Sequence, residues 1–186
     1  MRVSHLRAVW PRAESRLYEG PKKLVSLGYA TAAKEQRGKR PRTIYTITPP
    51  GREVLRAWLK TGGKDVLFEH EALLQLANCD AGELEDMLRI IGGIRESTNA
   101  DLQEMLAGFE QLAQRGEQLS SDKRFVISTL VNHFVYETML ARSRWLCFAE
   151  AFTRDWQDLE PNEEKLQAST DHYRQLADTL RPQSED

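Results

Sequence analysis

Electric charge is divided unevenly along this chain of 186 residues. Residues 1–60 hold 14 Lys and Arg against 4 Asp and Glu, a net charge of +10, whereas residues 61–186 hold 12 against 24, a net charge of −12. A unit with many like charges repels itself, and a polyanion such as nucleic acid would relieve that repulsion. The division indicates two functional regions, of which only the first suits nucleic acid. A solvated, charged face on an ordinary α+β domain is the alternative.

The composition excludes several classes of protein. A hydrophobic fraction of 40% and a charged fraction of 29% are typical of a globular chain, not of a disordered or collagen-like one. No run of 18 or more apolar residues occurs, and residues 1–5 lack the apolar segment of a signal peptide. We therefore expect a cytoplasmic protein that does not contact a membrane.

Cys79 and Cys147 lack C-x-x-C spacing, which favours reduced, buried side chains over a disulfide or a zinc site.

The basic region begins with the pattern of an amphipathic helix over residues 12–27. Apolar side chains repeat there at helical spacing, and Gly28 follows where a helix commonly ends in a left-handed residue. Pro21 removes one backbone donor inside this segment, so we expect a kink or a break after the first turns.

A hairpin and a second helix are expected next. Strand-like runs at 29–35 and 43–48 flank residues 36–42, which hold four cations and no apolar side chain and therefore predict a solvated basic loop. Thr48 can then cap a helix that starts at Pro49. The inner face of that helix is expected to hold Val54, Leu55, Trp58 and Leu59.

The sequence pattern of the acidic region, residues 61–186, predicts helices throughout. A glycine pair and a change in composition place the domain boundary near residue 62, which gives domains 1–62 and 63–186. Asp80 is expected to cap a long helix, and a second long helix over 122–157 is apolar on more than one face, which indicates burial against a second subunit. The apolar seam of the first long helix is predicted to contain Leu84, Leu88, Ile91, Arg95, Thr98, Leu102, Met105, Phe109 and Leu112.

A series of short motifs between residues 9 and 59 resembles, in order and spacing, the PadR family of bacterial transcription regulators. The motifs are Trp10-Pro11, Ser15-x-x-Tyr18, Lys22-Lys23-Leu24, Leu27-Gly28, Gly38-Lys39-Arg40-Pro41-Arg42 and Tyr45-Thr46-Ile47-Thr48-Pro49-x-Gly51-Arg52. For residues 60–186 the similarity is architectural only. The resemblance implies a mainly α fold, with a winged helix-turn-helix DNA-binding domain, one β-hairpin wing and a helical dimerisation domain.

The resemblance also implies a function. Members of the family are usually repressors that bind a palindromic operator as homodimers, and small aromatic molecules act as inducers of some of them. Members usually begin with two further helices, so this winged helix domain is expected to be short at its N-terminus. The apolar faces of Leu17, Leu24, Val54 and Leu55 would then lack part of their cover.

The residues expected to bind double-stranded DNA lie on the first helix and on the wing. Arginine can make bidentate contacts to a guanine edge, whereas Ser, Tyr and Lys suit phosphates. Tyr18 is equally consistent with partial burial against the wing. The motifs place on the recognition helix and its flanks Arg12, Ser15, Arg16, Tyr18 and Lys22, and they place on the wing Arg37, Lys39, Arg40 and Arg42.

Aromatic residues of the second long helix are candidates for the dimer interface or for an effector site. Aromatic side chains at the centre of a dimer can stack on a flat molecule, and ordinary packing is the alternative explanation. The candidates are Phe134, Met139, Trp145, Phe148, Phe152 and Trp156.

No catalytic constellation is recognisable, so we predict that the protein is not an enzyme. His133 and Glu137 form a single pair where a zinc site needs at least three ligands, and no nucleophile or phosphate-loop motif occurs, so no metal or other cofactor is expected. The leading hypothesis is a homodimeric DNA-binding regulator. The alternative is a helical, dimeric interaction protein derived from this family that lacks competent DNA binding.

Overall fold

The computed structural model describes residues 14–37, 40–63, 69–116, 118 and 122–181, without the side chains of 14–18, 37, 40 and 41. The chain forms two compact units. The first consists of Met1–Glu69 with Lys123–Val135, and the second consists of His70–Asp122 with Tyr136–Asp186. No helix among the described residues is long and apolar enough to cross a membrane.

The first unit contains the expected helix, hairpin and helix. Helix α1 spans Glu14–Ser26, strands β1 and β2 span Ala30–Arg37 and Arg40–Ile47, and helix α2 spans Pro49–Leu59. Helix α1 continues through Pro21 without the predicted break, since the loss of one backbone donor leaves the rest of the hydrogen-bond ladder in place.

The wing is longer and its tip is shorter than the sequence predicts. The antiparallel register pairs Ala30 with Ile47 at the base and Arg37 with Arg40 at the far end. The expected seven-residue loop is therefore wrong: the strands extend until only residues 38 and 39 separate them, and those two lie outside the described residues. Backbone pairing continues through polar residues because it depends on the main chain and not on apolar side chains.

Helix α2 begins as predicted, but its apolar residues are not an inner face. The hydroxyl of Thr48 accepts a hydrogen bond from the Gly51 N–H, and Pro49 is the first helical residue. Trp58 and Leu59 are 61% and 67% exposed, and Val54 and Leu55 are also exposed. The expected lack of cover is confirmed for Val54 and Leu55 on α2 and for Leu24 on α1, whereas the side chain of Leu17 on α1 is not among those described.

The second unit consists of helices. A short helix, α3, spans Glu71–Leu76, a 3₁₀ turn spans Cys79–Ala81, and the long helices are α4 (Leu84–Gln114), α5 (Lys123–Thr153, shared with the first unit) and α6 (Glu163–Leu180). Its main core contains Cys79, Met87, Ile91, Ile94, Leu146 and Ala149.

Two details differ from the sequence-based predictions. Helix α4 does not start at Asp80, which lies in the 3₁₀ turn. It starts at Leu84, and the Glu83 N–H donates to the Asp86 carboxylate at 3.1 Å. Both cysteines are free, but only Cys79 is buried, since Cys147 lies on an exposed part of α5.

Candidate nucleic-acid interface

Helix α1 presents lysines to solvent near its C-terminal end. Lys22 and Lys23 are exposed, and so is Glu19 one turn earlier. The predicted contacts Ser15, Arg16 and Tyr18 lie within this helix, although their side chains are not described, and Arg12 lies outside the described residues. By helical spacing, positions 15, 22 and 26 share one face of α1.

A Schellman motif ends helix α1 and directs the chain into the wing. Gly28 has a φ of +73°, and its N–H donates to Val25 O at 2.9 Å while the Tyr29 N–H donates to Leu24 O at 2.9 Å. A left-handed residue is required at this position, and glycine adopts it without steric cost. The Leu27-Gly28 motif therefore has a structural role.

The two ends of the hairpin are locked together at one point, which we call the junction and define as Gly28, Tyr29, Thr48 and Gly51. The Thr48 hydroxyl donates to Gly28 O at 2.7 Å, and the Thr48 N–H donates to Tyr29 O at 3.0 Å. Gly51 is buried, and a Cβ on it would lie 2.1 Å from Tyr29 O. The junction therefore fixes the end of α1, the base of the wing and the start of α2 with respect to one another.

The wing carries cations and a single carboxylate. Lys34 and Arg42 are exposed on β1 and β2. Of the other predicted wing contacts, Arg37 and Arg40 are register partners at the end of the ladder, and Lys39 lies outside the described residues.

Glu35 is a wing residue that sequence reasoning missed. It is the register partner of Arg42. The Arg42 Nε donates to Glu35 Oε2 at 2.5 Å, and Arg42 Nη2 contacts the same oxygen. Glu35 and Arg42 lie at equal distances from Gly38-Lys39 in the sequence. This spacing predicts that they pair across the hairpin only once the turn is known to consist of those two residues.

The remaining described cations between residues 19 and 60 have no such partner. Among the described side chains of this stretch, the structure shows no ion pair other than the one between Arg42 and Glu35. The exposed cations without an ion pair are Lys22, Lys23, Lys34, Arg52, Arg56 and Lys60, of which only Lys22 was among the predicted contacts.

Three of the aromatic candidates in the second unit come together between α5 and α6. The Phe148 and Phe152 ring centroids are 5.2 Å apart, and those of Phe152 and Trp156 are 5.7 Å apart. The sequence did not identify two further members. His172 stacks on Phe148 at 4.3 Å, and the Lys165 ammonium lies 5.1 Å from the Trp156 ring centroid. We call these five residues the aromatic cluster.

The other three candidates lie elsewhere. Trp145 packs against the main core and Met139 is buried. Phe134 is 61% exposed on the part of α5 that belongs to the first unit. Within the second unit, the aromatic cluster therefore holds three of the six candidates.

Ion pairs connect the helices of the second unit. Arg95 on α4 binds Glu150 on α5, and this hydrogen bond raises the pKa of Arg95. Arg142 on α5 reaches Asp101 at 3.0 Å and the Ser97 hydroxyl at 3.1 Å. These cations are bound within the unit.

Comparisons with known proteins agree with this architecture. Residues 1–61 match the family model of a winged helix DNA-binding domain. A comparison of the sequence with curated proteins finds no match.

Several solved structures have this fold. Bacillus subtilis PadR, solved in complex with operator DNA, is similar with a TM-score of 0.60 and 21% identity over 79% of this chain and 82% of that one. The protein smu.1604c from Streptococcus mutans gives 0.61 and 19% over 76% and 83%. The PadR-like transcriptional regulator BC1756 from Bacillus cereus gives 0.55 and 13% over 76% and 78%. The resemblance and the fold class predicted from the sequence are confirmed.

Proposed function

We propose that this chain, a winged helix protein with the fold of the PadR-type regulators, is a transcriptional regulator that binds double-stranded DNA as a homodimer. The observation that carries the proposal is the set of exposed lysines without ion pairs on α1 and the wing, Lys22, Lys23 and Lys34, in a region that matches a winged helix DNA-binding domain. Residues 1–62 would form the DNA-binding domain and residues 63–186 the dimerisation domain.

The proposed mode of binding places α1 in the major groove and the wing on the DNA backbone or in the minor groove. Ser15, Arg16 and Tyr18 would face base edges and nearby phosphates, with Arg12 and Lys22 at the flanks. The wing would bind phosphates through Arg37, Lys39 and Arg40, whose charges attract the backbone regardless of sequence. The junction supports this role because it holds the helix and the wing at a fixed relative position.

Apolar residues of α6 support a homodimer. Leu166, Tyr173 and Leu176 lie at helical spacing on this helix, and they are 59%, 71% and 45% exposed. A stripe of this kind is commonly covered by another protein surface. In a dimer, paired helices would set the distance between two copies of α1, so that matching half-sites of a palindromic operator lie one DNA turn apart.

The output of the regulator is proposed to be repression by occupying the operator, in the cytoplasm. Binding of this kind needs no catalytic step and no cofactor. A small aromatic effector could relieve it by stacking on the aromatic cluster and changing the distance between the two wings. Titration with phenolic and planar compounds tests this part, since a bound ring quenches tryptophan fluorescence, whereas no quenching across a broad panel leaves packing as the role of the cluster.

The test of DNA binding is fluorescence anisotropy of the full chain with DNA from its own promoter and with a scrambled duplex, at two salt concentrations. We expect preference for the promoter and a steep loss of affinity as salt increases, because each neutralised phosphate releases counterions. Equal or absent binding on both duplexes would overturn the proposal.

A second candidate function is favoured by the exposed apolar residues of the first unit. Leu24, Leu27, Trp58 and Leu59 are all at least 47% exposed, which is unusual for a DNA-binding domain that works alone. A helical interaction protein without DNA binding would bind a partner there. A stable dimer that binds no DNA in the anisotropy experiment would favour this function.

A further inference from the structure

Glu35 is the only carboxylate on the wing, which is otherwise basic. Between Glu19 and Glu53 it is the only acidic residue of the sequence. It lies on the wing opposite Arg42, and the side chains of both residues are 48% exposed. The pair is therefore accessible to a large polyanion.

The carboxylate of Glu35 occupies the donors that a phosphate would use. Arg42 Nε and Nη2 both contact Glu35 Oε2. Arginine binds carboxylates and phosphates with the same planar set of N–H donors, so one guanidinium edge cannot serve both groups at once. An exposed ion pair adds little to stability, so the fold alone gives no strong reason for it.

The neighbouring cations differ from Arg42 in having no ion-pair partner. Lys22, Lys23 and Lys34 are exposed, and none of them is ion-paired within the described part of the first unit. Their charges are fully available to DNA. Arg42 and Glu35 together contribute no net charge, so the pair offers a phosphate within the Debye length of about 8 Å little of the attraction that a cation without a partner would provide.

We infer that Glu35 is a positioning residue that withholds Arg42 from the phosphates of DNA and so limits the affinity of the wing for the DNA backbone. This inference rests on the proposed DNA binding. It assigns to Glu35 a role opposite to that of the surrounding cations. Such a residue lowers binding to all sequences alike and leaves discrimination to the contacts of helix α1.

The test is the Glu35→Gln variant in anisotropy titrations with the promoter and scrambled duplexes over a range of salt. One additional net charge at the interface should make the slope of log affinity against log salt steeper by about 0.9, and affinity about fivefold tighter at 0.15 M salt. Both duplexes should gain equally. The Glu53→Gln variant is the matched control, because it removes the same charge from an exposed position on α2.

The Arg42→Gln variant and the double variant show whether Glu35 acts through Arg42. We expect Arg42→Gln to bind more weakly than the wild type, because it leaves the Glu35 carboxylate without its cation beside the DNA. We expect Glu35→Gln to gain less in the Arg42→Gln background than in the wild type, since no guanidinium is then released to bind a phosphate. Circular dichroism and a thermal melt establish that each variant is folded.

Three outcomes would overturn the inference. A gain no larger than that of Glu53→Gln would mean that only net charge matters, and an equal gain in the Arg42→Gln background would mean that Glu35 does not act through Arg42. In either case the proposed DNA binding would stand. If neither the wild type nor any variant binds DNA, the inference and the proposed function both fail.

Discussion

Cations have different partners in the two units. Between residues 19 and 60, the described lysines and arginines form no ion pair except the one on the wing. In the second unit, Arg95 and Arg142 connect α4 to α5 through carboxylates. Lys165, whose side chain is 12% exposed, binds Asp158 at 2.8 Å and the Glu160 carbonyl at 2.7 Å. These three cations of the second unit are used internally, whereas the described cations of residues 19–60 other than Arg42 remain available for an external partner.

The units also differ in how they are held together. The main core of the second unit surrounds Leu146, which is 1% exposed. In the first unit, buried positions of the helix, hairpin and helix are small residues such as Ala30 and Gly51, and hydrogen bonds of the junction fix the elements. The net charge of a unit therefore does not show whether its charged side chains form ion pairs within the unit or remain free to bind a partner.

The largest expected effect tests the core of the second unit. Leu146→Ala should lower the free energy of unfolding by about 2–5 kcal/mol, because it leaves a cavity among packed side chains. Urea denaturation followed by circular dichroism measures this. Leu74→Ala is the matched control, since Leu74 is 67% exposed on α3. Equal losses for both variants would contradict the placement of the core.

Substitution at the junction tests how the first unit is held together. Gly51→Ala places a methyl group against the Tyr29 carbonyl, where backbone must move, and we expect a loss of about 1–3 kcal/mol in the free energy of unfolding. Gly93→Ala is the control, at an exposed position within helix α4 where a Cβ meets no atom within 4 Å. It should stabilise the helix by about 0.5–1 kcal/mol. Similar changes in the free energy of unfolding for the two variants would contradict the close approach of Gly51 to Tyr29.

Substitutions at the wing tip test whether cations of the first unit bind DNA. The double change Lys39→Ala with Arg40→Ala should weaken binding to promoter and scrambled DNA alike, by about 25-fold at 0.15 M salt for two lost phosphate contacts. Arg174→Ala with Arg181→Ala removes two ion-paired cations of the second unit and should leave affinity unchanged. An unchanged affinity of the wing variant in anisotropy at moderate salt would remove the wing from the interface.

The smallest expected effect concerns internal charge in the second unit. The hydrogen bond from Lys165 lowers the pKa of Asp158, so the folded state favours the ionised carboxylate. Its contribution to stability is fully present above the ordinary value of about 3.9 and is lost as pH falls through the lowered pKa. Urea midpoints at pH 6 and pH 3 should therefore differ less for Asp158→Asn than for the wild type.

Asp155→Asn is the control for that experiment, because it removes a nearby carboxylate that the structure does not pair with Lys165. It should keep the pH dependence of the wild type. If Asp158→Asn also keeps that dependence, the contact between Asp158 and Lys165 does not contribute to the pH dependence of stability.

Local signals predicted local structure well. Gly28 ends α1 and Thr48 caps α2, because a left-handed turn and an N-cap each depend on one residue and its immediate neighbours. The boundary of the wing was less accurate, since residues 36–42 look like a loop by composition but continue the strand ladder.

Packing was predicted only in part. Ile91 and Thr98 of the expected α4 seam are buried, but Leu88 is 44% exposed and Met87 is buried instead. Thr98 is fully buried because its hydroxyl donates to the Ile94 carbonyl within the same helix, which removes the cost of burying a polar group. Hydrophobic spacing alone identifies a helix but not the direction of its buried face.

By itself, the sequence determined the order of elements, the division of charge and the resemblance of residues 9–59 to a DNA-binding family. Each of these depends on residues that lie close together in the chain. Only the tertiary structure decided that Glu35 neutralises Arg42, that His172 and Lys165 join the aromatic cluster, and that Trp58 and Leu59 of α2 are exposed. These facts depend on strand register and helix packing, which bring together side chains that no local spacing connects.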